Sequence, residues 1–178
     1  MAYFVQQHTR DIGVRLALGG EPGAIDAPST TLGHPLTVIV PGTLDGLAEA
    51  MRVAQAFCDE VDAPGLAQAN VMTALDEVLA NIVHHGLRGA AGTIELTMGQ
   101  NGRQVVAHVA DTAVPFDPLL MPLPDTSLPL EQRKLGGLGI ALVRALTDEV
   151  SYERRDGRNH LTLTWRVGID DPKDGHAD

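Results

Sequence analysis

The stretch Leu75-Asp76-Glu77-Val78-Leu79-Ala80-Asn81-Ile82-Val83-His84-His85-Gly86 constrains this chain more than any other. At about 100° of rotation per residue, Val71, Leu75, Val78, Leu79 and Ile82 form one apolar stripe, while Glu77, Asn81 and His84 gather on the opposite side. The helix therefore has a core face and a presenting face, and its apolar stripe calls for a second layer. Glu77 and Asn81 stand one turn apart and project side by side. An amide oxygen there can ligate a hard cation while the neighbouring carboxylate acts as a base. An ordinary solvated helix face is the plain alternative.

The flanking patterns say what the second layer is. His34-Pro35-Leu36-Thr37-Val38-Ile39-Val40 reads as a strand closed by Pro41-Gly42. Thr43 then offers an N-cap for a helix running to about Val61, with Leu44, Leu47, Met51 and Ala54 at helical spacing. Asp62-Ala63-Pro64-Gly65 breaks it, and the next helix runs from about Leu66 to Gly86, which suits a C′ glycine. Gly92–Met98 and Gln104–Ala110 alternate on either side of Gly99-Gln100-Asn101-Gly102, the pattern of an antiparallel hairpin. Residues 111–135 hold five prolines and no sustained period, a long loop of the kind that is functional or disordered. Gly136-Gly137-Leu138-Gly139 then opens an apolar helix with Ile140, Leu142, Val143 and Leu146. Val150–Glu153 and His160–Arg166 form a second hairpin across Arg154–Asn159.

This order predicts an α+β fold: a two-layer α/β sandwich with a mixed or antiparallel sheet of four or five strands and three helices on one face. Residues 1–33 read as a partly disordered arm with room for one short strand at Val14–Leu18, residues 34–167 as the domain, and residues 168–178 as a disordered acidic tail. The 178 residues suit one domain. Aromatics make up only 3%, so Leu, Val, Ile and Ala must fill the interior.

Charge and cysteine content narrow the function classes. A net charge of −10 argues against a nucleic-acid surface, which needs clustered Lys and Arg, and leaves a basic protein partner compatible. The same charge means that a nucleotide must be held by a divalent cation and by backbone N–H groups. No apolar run is long enough to span a bilayer, and the N-terminus lacks the basic start and apolar block of a signal peptide. Cys58 is the single cysteine and falls in an apolar helical pattern, where a buried structural thiol is expected. A cytoplasmic location follows.

Three pieces follow one another along the chain. Glu77-x-x-x-Asn81 lies on a helix, Asp111 ends an apolar strand, and a glycine cluster stands at a helix N-terminus. A carboxylate at Asp111 can accept a hydrogen bond from an exocyclic amine such as adenine's, or it can simply end the strand as a turn residue. Gly136, Gly137 and Gly139 let backbone N–H groups and the helix dipole approach phosphate oxygens, although an ordinary flexible turn has the same composition.

In order and spacing, these motifs resemble the GHKL-type ATPases, and more closely the anti-sigma-factor serine kinases of bacterial partner-switching systems. The resemblance rests on Glu77-x-x-x-Asn81-x-x-x-His85-Gly86, Asp111-x-Ala113-x-Pro115-Phe116-Asp117-Pro118 and Gly136-Gly137-Leu138-Gly139-Ile140-Ala141-Leu142-Val143. The closing pair Asp148-Glu149-Val150-Ser151-Tyr152 and Gly157-x-Asn159-x-Leu161-Thr162-Leu163 matches too, so the resemblance covers about residues 35–167. It implies that Glu77 is the general base, that Asn81 binds the Mg²⁺ bridging the phosphates of ATP, and that Asp111 holds the adenine amine. It further implies nucleotide contacts from Ala113, Gly136, Gly137, Leu138, Gly139 and Thr162. Arg133 and Lys134 can reach a terminal phosphate if the loop closes, or remain solvated charges.

One departure stands out: the family generally has a glycine two residues after the adenine aspartate, where this chain has Ala113. A methyl near the base can weaken ATP binding or be absorbed by a small backbone shift. His84 and His85 point about 100° apart with no third ligand in sight, and no Gly-x-Ser-x-Gly elbow is present. The expected function is thus an anti-sigma factor and ATP-dependent serine kinase acting on a STAS-type anti-anti-sigma partner. A homodimer is expected by resemblance only. The alternative is a nucleotide-sensing module that sequesters a sigma factor or other regulator without kinase activity.

Overall fold

The structure, a computed structural model, describes residues 15–17, 32–122 and 138–167. Among them the strands are β1 Arg15–Ala17, β2 Gly33–Pro41, β3 Thr93–Asn101, β4 Gln104–Asp111, β5 Glu149–Arg155 and β6 Arg158–Arg166. The helices are α1 Leu44–Glu60, α2 Gly65–Asn81 and α3 Leu138–Leu146. The sheet runs β1-β2-β3-β4-β6-β5, and every neighbouring pair is antiparallel. The α+β sandwich is as expected, with five long strands and the short strand anticipated in the arm. The rest of the arm, residues 123–137 and the tail from 168 onward lie outside the described residues.

Period-two patterning builds the core. Val38 and Val40, Ile94, Leu96 and Met98, Val105, Ala107 and Val109, and Leu161, Leu163 and Trp165 all bury on one face of the sheet. Helices α1 and α2 cover that face, and α3 packs against α2. Of the stripe expected on α2, Val71, Leu75, Val78 and Leu79 are buried, Ile82 is half-buried, and Glu77 and Asn81 keep partial access to solvent. No helix among the described residues is long and apolar enough to cross a membrane.

Three local expectations change. Thr43 caps α1 as predicted, its hydroxyl accepting from the Gly46 N–H at 3.2 Å, but Leu44 is 60% exposed. A Cβ on Gly46 would strike the Pro41 carbonyl oxygen. The first turn of α1 thus lies directly on the end of β2, so the buried stripe is Ala50, Val53, Ala54, Phe57 and Cys58 instead. Gly86 is not the C′ glycine of α2: the helix widens into a π-type turn over Ile82–Leu87 and ends at Arg88 and Gly89, both with positive φ. The expected six-residue connection Arg154–Asn159 contracts to Asp156-Gly157, whose φ values of 51° and 76° fit a type I′ hairpin. Arg154 and Asn159 thereby become directly opposed residues of β5 and β6.

Candidate functional site

A cavity of about 610 Å³ opens between α2, the end of β4, the start of α3 and the β5–β6 hairpin. Its size falls in the range of roughly 300–1,000 Å³ typical of small-molecule sites. Glu77, Asn81, Asp111, Ala113, Gly139 and Asn159 all line it, so three motifs separated in sequence meet around one space.

One end is rigid and buried. Asp111 closes β4 in register with Ile94 and Asn159 and is only 4% exposed. Its Oδ1 accepts from the Ala113 N–H at 2.8 Å and from Asn159 Nδ2 at 2.8 Å. The first of these is the turn-forming bond that a strand-ending aspartate makes to its own loop. Both bonds use the same oxygen, and Oδ2 accepts none among the described residues. The turn bond thus uses one carboxylate oxygen and leaves the other without a partner among the described residues.

Ala113 is itself buried, and a Cβ placed on Gly86 would come within 2.8 Å of the Ala113 Cβ. This explains both the departure at 113 and the misassigned Gly86. The extra methyl packs against the π-type turn, and Gly86 supplies the missing side chain that makes room for it.

The other end is looser. Glu77 and Asn81 rise from α2, and no hydrogen bond to a described residue fixes either side chain. A Cβ on Gly139 would collide with Glu77 Oε2 and stand 3.6 Å from Asn81 Nδ2. Glycine there lets the start of α3 sit on the polar face of α2. Leu138 is exposed at the rim, while Gly136, Gly137, Arg133 and Lys134 lie outside the described residues. Arg88 and Arg144 also line the cavity, beside His85, and put local positive charge into a chain of net charge −10. Among the described residues, no group of three or more His, Cys, Asp and Glu can hold a metal.

Thr162 is the exception among the expected contacts. Alternation along β6 turns Leu161 and Leu163 inward, so Thr162 faces the outer side of the sheet, where its hydroxyl hydrogen-bonds His108 Nδ1 at 3.1 Å. Asn159 and Leu161 are the β6 residues that reach the cavity. Asn159, which the sequence reading leaves without a role, is an asparagine, a poor strand former, within a strand pattern, and the structure buries it.

Comparison with known proteins agrees with this arrangement. Residues 40–165 match the family described as "Histidine kinase-like ATPase domain". The chain is 42% identical over 90 residues to the serine/threonine-protein kinase BtrW of Bordetella bronchiseptica, an alignment covering 50% of this chain and 63% of that protein. It is 26% identical over 125 residues to an anti-sigma F factor of a Thermoanaerobacter species, covering 68% of this chain and 85% of that protein. Among solved structures, the RsbU and RsbW domains of a Mycobacterium tuberculosis protein align over 75% of this chain and 32% of that one, with a TM-score of 0.53 and 22% identity, a likeness of fold. By family match, sheet order and the motifs gathered round the cavity, the chain belongs to the histidine kinase-like ATPase domain family.

Proposed function

We propose that the protein is an ATP-dependent serine kinase and anti-sigma factor that phosphorylates a STAS-type partner in a partner-switching system of the cytoplasm. The observation that carries this reading is the convergence of Glu77, Asn81, Asp111 and Gly139 on one cavity of suitable size. Asp111 Oδ2 would accept the adenine amine, and the start of α3 would face the phosphates. Asn81 would hold Mg²⁺ beside them. When bound, the ion neutralises charge on the transferring phosphoryl group, since phosphoryl transfer depends chiefly on positioning and charge.

Glu77 has one task in this scheme: to take the proton from a serine hydroxyl of the partner as that oxygen attacks. Its partial exposure lets a protein substrate approach it. The phosphoserine adds charge to the partner's surface and releases it, which frees the kinase to hold a sigma factor. The alternative of sequestration without transfer was motivated by Ala113, whose methyl packs on Gly86. Incubating the protein with Mg-ATP and a STAS-type partner from the same genome that binds it should give a phosphoserine mass shift on that partner. An authentic partner left unmodified would remove the kinase assignment.

A further inference from the structure

Asn159 is a fully engaged amide at the base of the cavity, 5% exposed. Its Oδ1 accepts from Tyr152 Oη at 2.9 Å, from Arg154 Nη1 at 2.8 Å and from the Phe116 N–H at 3.4 Å. Its Nδ2 donates to Asp111 Oδ1 at 2.8 Å and to the Val114 carbonyl at 3.1 Å. The orientation of the amide is forced. A guanidinium and a backbone N–H can only donate, so the atom facing them must be the oxygen, and Nδ2 must face the carboxylate and carbonyl. Arg154 Nη1 also donates to the Ala113 carbonyl at 2.9 Å, so the hairpin clamps the first residues after Asp111 from two sides.

The geometry points to Asn159 as the positioning residue of the base pocket, a role that rests on the nucleotide reading above. By occupying Oδ1 from one side while the Ala113 N–H occupies it from the other, Nδ2 fixes the plane of the Asp111 carboxylate. That leaves Oδ2 as the acceptor for a ligand donor. The bonds to Val114 and Phe116 tie the loop that leaves β4 to the same amide. The acceptor and the entrance to the loop are thus set together, and a base presenting an amine finds the acceptor already aimed.

The isosteric variant Asn159→Asp isolates this role. An aspartate keeps the acceptor that Tyr152, Arg154 and Phe116 use but faces Asp111 with a second carboxylate in place of a donor. Tyr152, Arg154 and Asp111 are the titratable or charged groups in hydrogen-bond contact with position 159. At about pH 8, calorimetric titration should show Mg-ATP binding roughly tenfold to a hundredfold weaker than wild type. Two carboxylates at hydrogen-bond distance share a proton once one is available, so the ratio of variant to wild-type Kd should shrink as pH falls to about 5.5.

A ratio near one at the higher pH, or a deficit that pH does not change, would overturn the positioning role, because lost packing alone carries no such dependence. If the wild type binds no Mg-ATP, the nucleotide reading fails and this role fails with it; tight wild-type binding with an unaffected variant removes only the role. Should circular dichroism show the aspartate variant unfolded, Tyr152→Phe removes a donor from the far side of the amide. That variant should weaken Mg-ATP about twofold to fivefold, and wild-type affinity in it would count against the role.

Discussion

The two ends of the cavity are built on different principles. At the Asp111 end, Asp111 and Asn159 are buried, hydrogen-bonded to one another and held between β4, β5 and β6. At the Glu77 end, the side chains stand on one helix, reach partial solvent and meet the start of a second helix through a glycine. A base is a rigid plane with fixed donors, so its pocket can be made in advance. Phosphates, a metal ion and a protein substrate arrive with their own geometry, so the groups that handle them must stay accessible. The comparison implies that changes at the Asp111 end act on binding, and changes at the Glu77 end act on transfer.

The sharpest way to break that division is Glu77→Gln. Removing the base while keeping side-chain shape should lower phosphoryl transfer by about 10²–10⁴-fold with nucleotide affinity unchanged, read by paired activity and calorimetric measurements. Asp111→Asn should do the reverse. An amide at the acceptor position weakens Mg-ATP by roughly 1–3 kcal/mol and leaves the rate at saturating nucleotide close to wild type. Gly139→Ala probes the contact between the two helices. Its methyl collides with the far end of the flexible Glu77 side chain, so the carboxylate should be displaced and transfer reduced, while thermal unfolding changes by less than about 1 kcal/mol.

Smaller effects sharpen the picture. Ala113→Gly removes a methyl packed on Gly86 and should cost roughly 1 kcal/mol in denaturant unfolding while nucleotide affinity stays within about twofold. A large gain in affinity would mean that the methyl does crowd the base.

The smallest effects belong to two groups outside the cavity. Burial chiefly, and then His160, pushes His108 below the ordinary imidazole range. The unfolded chain takes up that proton more readily than the folded one, so the stability contributed by neutral His108 is complete above about pH 6.5 and is lost as pH falls below it. Burial, with Asp59 nearby, raises the Cys58 thiol from 9.0 to about 11. Here the unfolded chain ionises first, so stability falls as pH rises through that interval. Unfolding midpoints measured across pH should show both slopes, with Cys58 unreactive toward thiol reagents until the chain unfolds.

Much of this was legible because periodicity reports burial. Alternation located β3 and β4, a β-branched run ending at Pro41-Gly42 located β2, a turn-like break across 154–159 located β5 and β6, and the stripe on α2 fixed which face Glu77 and Asn81 present. What escaped notice depended on contacts between segments distant in sequence. Leu44 follows the helical period, but the close approach of Gly46 to Pro41 turns it outward. Gly86 looked like a helix terminator, whereas its lack of a side chain is needed by Ala113, a partner 27 residues further along. Thr162 and Asn159 belong to one short motif and, three residues apart on a strand of period two, take opposite faces; which of them faces the cavity depends on how β6 sits in the sheet. The contraction of the hairpin to Asp156-Gly157 keeps the pairing of Glu153 with His160 and extends the strands to Asn159, which lines the cavity where Thr162 does not.

The central claim is that Asp111 presents an acceptor to a base that carries an amine. Isothermal titration of the wild-type protein with Mg-ATP and with Mg-GTP tests it most directly, because guanine offers a carbonyl oxygen where adenine offers the amine. The account predicts saturable one-site binding of Mg-ATP and at least roughly a tenfold weaker response to Mg-GTP. Equal affinity for the two, or no heat from Mg-ATP, would contradict it.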